Sequence, residues 1–227
     1  GGGATTLRAC DVRPSDTGPA RPVADRLQTP LTMPADALRI ARFCDLLTNR
    51  KAIADFPGAD NGLQHRGKAR VRKVGAAVDA GAKVFALAAK RGVDFLIVHH
   101  GMRWRPVSPE REVRRLRLAA LKKTGLSLYS SHLPLDAHPV IGNNALIAAD
   151  LGLKVVDWFV DYEGLPIACI CQGIPRATLR QRLKASYPQT YKGIEFGSAN
   201  PKKIAISTST SFFAAWDQVL ACCSSRP

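Results

Sequence analysis

Two histidines stand side by side in LIVHHGMRW, where His99 and His100 follow an apolar, β-branched run. The ends of such buried strands are where open α/β sheets collect ligands and reactive groups. Neighbouring side chains on a regular strand point to opposite faces, so both imidazoles converge only if the backbone turns after them, and Gly101 permits a turn. A second run, YSSHLPLDAHPVIGNNALIA, places His132, Asp136 and His138 within seven residues, again directly after a strand-like stretch. Imidazole and carboxylate donors suit Zn, Fe or Mn, and a ligating histidine engages an acceptor through its other nitrogen. A divalent-metal centre is therefore one chemistry this donor set offers. Structural histidines with hydrogen-bond partners, and a polar loop capping the next helix, account for the same residues without a metal. Asn143 and Asn144 suit that capping role, since asparagine before a helical run satisfies orphan amides.

A third run, DFPGADNGLQH, offers Asp60, Asn61, Gln64 and His65, and reads first as a glycine-containing turn. The chain carries no Walker A motif, no G-x-G-x-x-G fingerprint after a strand and no G-x-S-x-G, so phosphate cradles and serine-hydrolase chemistry lose support. Six cysteines include no C-x-x-C pair, which argues against a zinc ribbon and a disulfide scaffold. Cys169 and Cys171 lie two apart in an apolar run and are expected as buried thiols on one strand face.

An alternation of strands and helices must position these groups. Pro34 opens an amphipathic helix in which Ala37, Ile40, Ala41, Cys44 and Leu47 recur at helical spacing. VRKVGAAVD, an Ala-rich helix over residues 80–90 and the strand VDFLIV form one βαβ unit. Ser108 caps a further helix, with Pro109 in its first turn and Val113, Leu116, Ala120 and Leu121 as the buried stripe. The strand LSLYSSH and a helix over residues 143–151 follow. A smaller α/β lobe then comprises the strand LPIACIC, a helix over residues 177–185 and the strand KIAIS. The expected fold is α/β, a two-lobed layered architecture with mixed sheets. Its metal-binding domain covers residues 33–153 and its smaller lobe residues 154–207, between an unstructured extension at 1–32 and a divergent tail at 208–227.

The 227 residues hold 33 Lys and Arg against 18 Asp and Glu, a formal charge of +15, with 46% hydrophobic residues. That composition excludes a wholly disordered or collagen-like chain. With no membrane-length apolar run and no apolar leader segment at the start, the expected location is the cytoplasm. RGKARVRK and RWRPVSPEREVRRLRLAALKK would attract anions, but no nucleic-acid motif accompanies them, and solvation of a helix face explains most of the second.

DNGLQ at 60–64, LIVHHGMRW at 96–104 and HLPLDAHPVIGNNA at 132–145, in this order, resemble the dinuclear-metal family described as GTP cyclohydrolase I type 2-like. The resemblance runs from about Pro34 to Ser207. It implies a two-lobed subunit of a toroidal homohexamer with two metal ions per subunit. It places metal ligands at His99, His100 and Asp136, and gives His132 a catalytic role as a substrate-facing or supporting group. The first reading is a metal-dependent hydrolase by descent acting on a nucleotide-like substrate, with basic residues such as Arg103 and Arg105 available to phosphate groups. The alternative from another class is a metal-binding or regulatory scaffold without turnover. The family's late His and Glu ligands have no counterpart, because no His or Glu follows Thr208 and Asp217 is the one carboxylate there. The expectation is thus a truncated or frameshifted family member holding at most one weakly bound ion.

Met33 stands at the junction between the aperiodic first 32 residues and the first helix, and is expected to be the biological start. Residues 1–32 offer too little periodic apolar surface to offset a backbone ordering cost of roughly 1–2 kcal/mol per residue. Their deletion is expected to leave the melting temperature unchanged in thermal denaturation.

Overall fold

The computed structural model describes residues 34–102, 111–162, 164–194 and 196–208. The expectations for residues 1–32, Met33, Ser108 with Pro109, and the tail from residue 209 on fall outside the described residues. In chain order the elements are β1 (Ala35–Asp36), α1 (Ala37–Leu47), β2 (Gly62–His65), β3 (Arg70–Val71), β4 (Val74–Asp79), α2 (Ala82–Lys90), β5 (Phe95–His100) and α3 (Arg111–Thr124). They continue with β6 (Ser127–Ser130), α4 (Leu133–Asp136), α5 (Asn143–Asp150), β7 (Val155–Tyr162), β8 (Leu165–Gln172), α6 (Arg176–Ser186) and β9 (Lys203–Ile206). The fold is α/β with mixed sheets, as the alternation predicts.

One sheet has the order β2-β6-β5-β4. Its β4–β5 and β5–β6 pairs are parallel and its β2–β6 pair antiparallel. β5 alternates strictly between two cores, as the two-residue period of a strand requires. Leu96 and Val98 pack with Phe85, Leu121 and Leu128 under α2 and α3, whereas Phe95 and Ile97 pack with Tyr129 and with Ala37 and Ala41 of α1. A sheet buried on both faces explains why LIV reads as a continuous apolar run. The second sheet, β7-β8-β9, is antiparallel. Cys169 and Cys171 of β8 are fully buried in its core, as expected.

Several elements differ from their sequence expectations. Pro34 precedes α1 rather than opening it; Asp36 is the N-cap, its Oδ1 accepting from the Leu38 and Arg39 amides at 2.8 and 3.2 Å. The DNGLQ turn continues into a strand, because Gly62 and Leu63 pair with Ser130 and Tyr129. VRKVGAAVD divides into two strands of different sheets. The apolar stripe of α3 is shifted: Val113 and Leu116 are exposed, while Leu121 is fully buried. β7 has no clear strand alternation in the sequence, because VVDWFVDY mixes acids with apolar groups. No helix among the described residues is long and apolar enough to cross a membrane.

α1 is fastened to the middle of the first sheet through Asp45. The buried Tyr129 hydroxyl donates to its Oδ1 at 2.8 Å, and the Arg50 guanidinium grips both carboxylate oxygens, the Nη2–Oδ2 contact being 2.9 Å. Burial opposes the charge on Asp45, but the hydrogen bonds from Arg50 and Tyr129 outweigh it and hold the carboxyl below its ordinary value. A depressed folded pKa stabilises fully above the unfolded value, roughly 3.9, and that contribution fades as the pH falls through the folded value. Asp45→Asn is therefore expected to cost roughly 1–2 kcal/mol at pH 7, with a smaller deficit below pH 3, measured by urea unfolding across the pH range.

Candidate metal centre

Parallel pairing of β5 with β6, in the register Val98↔Ser130, brings the two histidine-bearing strand ends together. The Ser131 amide extends the ladder by donating to the Val98 carbonyl at 3.0 Å, and His132 follows at once. Ring centroids of His99 lie 4.8 Å from both His100 and His132, and those of His100 and His132 lie 5.7 Å apart. One ring nitrogen from each of the three imidazoles falls within 4.8 Å of the others. Gly101 serves this geometry by its size: a Cβ there would meet the Gln64 amide nitrogen at 2.2 Å. Its φ is not in the left-handed region, so the expected glycine turn is replaced by a close approach.

Each imidazole engages an oxygen acceptor through Nδ1. The partners are the Ser131 carbonyl for His99 at 3.1 Å, Asp79 for His100 at 2.8 Å, and Asp55 for His132 at 2.8 Å. Such partners favour the tautomer whose lone pair sits on Nε2, the arrangement of a ligating histidine. Asp55 is almost fully buried and also accepts from the Asn61 side chain and from the Phe56 and Leu133 amides. Burial opposes its charge, yet His132, Asn61 and the Phe56 amide together hold it below the ordinary carboxylate value.

Asp136, at the end of α4, stands beside His99. Its side chain is wholly buried; Oδ1 accepts from Asn143 at 2.8 Å and Thr208 at 3.4 Å, whereas Oδ2 has no hydrogen-bond partner among the described residues and stands 3.4 Å from His99 Nε2. Two donors each roughly 2.1 Å from a tetrahedral ion stand about 3.4 Å apart, so the spacing and the orphaned oxygen both fit a shared cation. For His99, burial depresses the pKa, but the Asp136 carboxylate, the Ser131 carbonyl and Asp55 overcome it and leave the value raised.

Of the residues singled out by sequence, the rings of His99, His100 and His132 come together, Asp136 reaches His99, and two histidines stand apart. His138 uses Nδ1 to accept from the Val140 and Ile141 amides, closing the turn between α4 and α5, and His65 ends β2. Asn143 and Asn144 are not helix caps. The N-cap of α5 is Gly142, so tightly packed that a Cβ would lie 2.3 Å from the His138 carbonyl. Asn143 instead holds Asp136, and the buried Asn144 bridges the Ile167 carbonyl and the Thr208 amide. Asn61 and Gln64 do more than build a turn. Asn61 accepts from the His132 amide at 2.7 Å, and Gln64 links the Asp60 carbonyl to the Met102 amide. Asp55 carries no local sequence signal. Nor does Asp79, which meets His100 only because the parallel register of β4 and β5 sets the two opposite each other. Arg103, Arg105 and Asp217 lie outside the described residues.

The three imidazoles line a cleft of about 830 Å³ whose other walls include Phe56, Ala76, Leu135 and Leu146, with Asn143 and Thr208 among its polar groups. Removing an acceptor that orients a ligating histidine typically costs 10–100-fold in metal affinity. Asp55→Asn is expected to weaken zinc affinity by roughly tenfold or more, read by competition with a chromophoric chelator, while the fold, followed by circular dichroism, persists.

The family model for Duf34/NIF3 (NGG1p interacting factor 3) matches residues 39–215. A relative from Pyrococcus horikoshii, called GTP cyclohydrolase 1 type 2 homolog, is 37% identical over 183 residues, covering 79% of this chain and 72% of its own. The protein of the same name from Escherichia coli K12 is 46% identical over 109 residues, covering 48% of this chain and 43% of its own. Two solved structures are similar. One is protein ybgI, of unknown function, at TM-score 0.67 and 30% identity; the other is TTHA1606 from Thermus thermophilus, at TM-score 0.65 and 34% identity. Each comparison covers 81% of this chain and 74% of the other. With the motifs, the fold and the sequence match in agreement, the chain belongs to the Duf34/NIF3 family.

Proposed function

We propose that the chain binds one divalent ion, Zn, Fe or Mn, through His99, His100, His132 and Asp136, and that the loaded site hydrolyses a nucleotide-like substrate. The observation that carries the binding is the buried, unpartnered Oδ2 of Asp136 beside three imidazoles whose Nδ1 atoms are already committed. His132, set apart from the ligands by the resemblance, belongs among them on this reading, because its ring lies as close to His99 as the ring of His100 does. A bound divalent ion supplies Lewis acidity. The protein's part is orientation and exclusion of water. Asp55, Asp79 and the Ser131 carbonyl fix the rings, Asn143 and Thr208 hold Asp136, and Phe56, Leu135 and Leu146 offer an apolar wall to a heterocycle. The homohexamer and the cytoplasmic location stand as parts of the same proposal, drawn from the resemblance.

A second reading has its own observation. Three imidazoles and one carboxylate are four donors, enough to close a tetrahedral shell, whereas catalytic zinc sites keep one position open. That count favours a metal-stabilised scaffold without turnover. Metal analysis after dialysis against zinc is expected to give one ion per chain, lost readily to chelator, with His99→Ala and Asp136→Asn each lowering occupancy. Metal-dependent release of product from GTP would support the hydrolase, and stoichiometric metal without turnover the scaffold. Two tightly held ions, or unchanged uptake by both variants, would sink the four-donor site.

A further inference from the structure

We propose that the end of the four-stranded sheet opposite the histidines is a docking face for double-stranded nucleic acid, held through its phosphates. β4, β5 and β6 run parallel, so the segments that precede them share one end of the sheet, while His99, His100 and His132 sit at the other. The run RGKARVRK, residues 66–73, leads into β4 and carries five exposed cations. α2 ends on the exposed Lys90 and Arg91 before β5, and α3 on the exposed Lys122 and Lys123 before β6. Segments far apart in sequence thus concentrate nine cations on one pole.

Hydrogen bonds fasten the segments into a platform. The Lys68 amide donates to the Gly125 carbonyl and the Gly67 amide to Ser127 Oγ, both at 3.0 Å. The Asp94 amide donates to the Lys73 carbonyl at 2.9 Å, and Lys73 Nζ to the Arg91 carbonyl at 2.8 Å. Gly67 and Val71 face inward: a Cβ on Gly67 would lie 2.2 Å from the Gly125 carbonyl, and Val71 is buried. The cations at 66, 68, 70 and 72 are exposed.

The one carboxylate within residues 66–73, 90–94 and 122–125 is Asp94, largely buried, which accepts from the Arg72 and Lys73 amides and lies 3.9 Å from Lys68 Nζ. Arg66 also lies 3.9 Å from Asp36. The positive field reaches His65, whose imidazole is held below its ordinary value by burial and then by Lys122. Complementing helix C-termini accounts for Lys90, Lys122 and Lys123 but not for residues 66–73, which lie outside any helix. Crowded like charges repel, and a polyanion relieves that repulsion while releasing its own counterions. The three segments contain no Phe, Tyr or Trp, so they offer neither a stacking platform for single-stranded bases nor an aromatic anchor for a bilayer. Phosphate contacts without a base-reading element give binding indifferent to sequence.

Fluorescence anisotropy of the full chain with a labelled random duplex of about 20 base pairs tests this. Five phosphate contacts predict a slope of about −4.5 for log affinity against log salt. The triple variant Lys68→Glu, Arg70→Glu, Arg72→Glu is expected to lose at least about tenfold in affinity with zinc uptake unchanged; the matching Gln triple, which keeps the test informative if the Glu triple misfolds, should lose less. Reversing Lys154, Lys184 and Lys192, in the region of the second sheet, should cost less than about threefold. A flat salt dependence, equal losses in both charge-reversal triples, or tighter binding to a single strand or to phosphatidylserine vesicles would overturn the proposal.

Discussion

Burying a carboxylate oxygen without a partner is costly, and the Oδ2 atom of Asp136 imposes that cost on the fold. Among the described residues, no lysine or arginine pairs with it. The fold places the orphaned oxygen against His99 and supports Oδ1 from both sides with Asn143 and Thr208. Charge inside a protein is tolerated when it is paired or coordinates a metal, and here the neighbouring groups are neutral-capable imidazoles that donate a lone pair as readily as they accept a proton.

The arrangement depends on rigid elements. β5 and β6 are central strands buried on both faces, so the positions of His99, His100 and Ser131 are set by ladder hydrogen bonds and by the packing of Phe95, Leu96 and Tyr129. A second set of ties comes from the edge strand β2 and the loop before it. Asn61 fixes both the His132 backbone and Asp55, and Gln64 fixes the chain just beyond His100. Thr208, at the end of the described chain, closes on Asp136 and Asn144 from the second sheet's last strand. The site therefore draws on both sheets, and a change in either one reaches it.

The first sheet also separates charge. The C-terminal ends of β5 and β6 lead into the imidazoles of His99, His100 and His132, and the segments before β4, β5 and β6 carry exposed Arg and Lys. Parallel strands make that segregation possible, because every crossover returns the chain to the same end.

The sequence alone determined the α/β class, the strand carrying His99 and His100, the buried Cys169 and Cys171, and the family, since each rests on local periodicity or on a contiguous motif. It also brought His99, His100, His132 and Asp136 into view, because all four lie in short runs at or just after strand ends. What only tertiary structure decided are the groups that meet across long separations: Asp55 with His132, Asp79 with His100, Gln64 with Met102, and Thr208 with Asp136. Asn143 and Asn144 show the reason most plainly. An asparagine at a helix start is locally a cap, and the sequence offers no sign that a buried carboxylate and a strand carbonyl lie within its reach. Local pattern reports what a segment can do by itself, whereas hydrogen-bond partners dozens of residues away exist only once the sheet has set their positions.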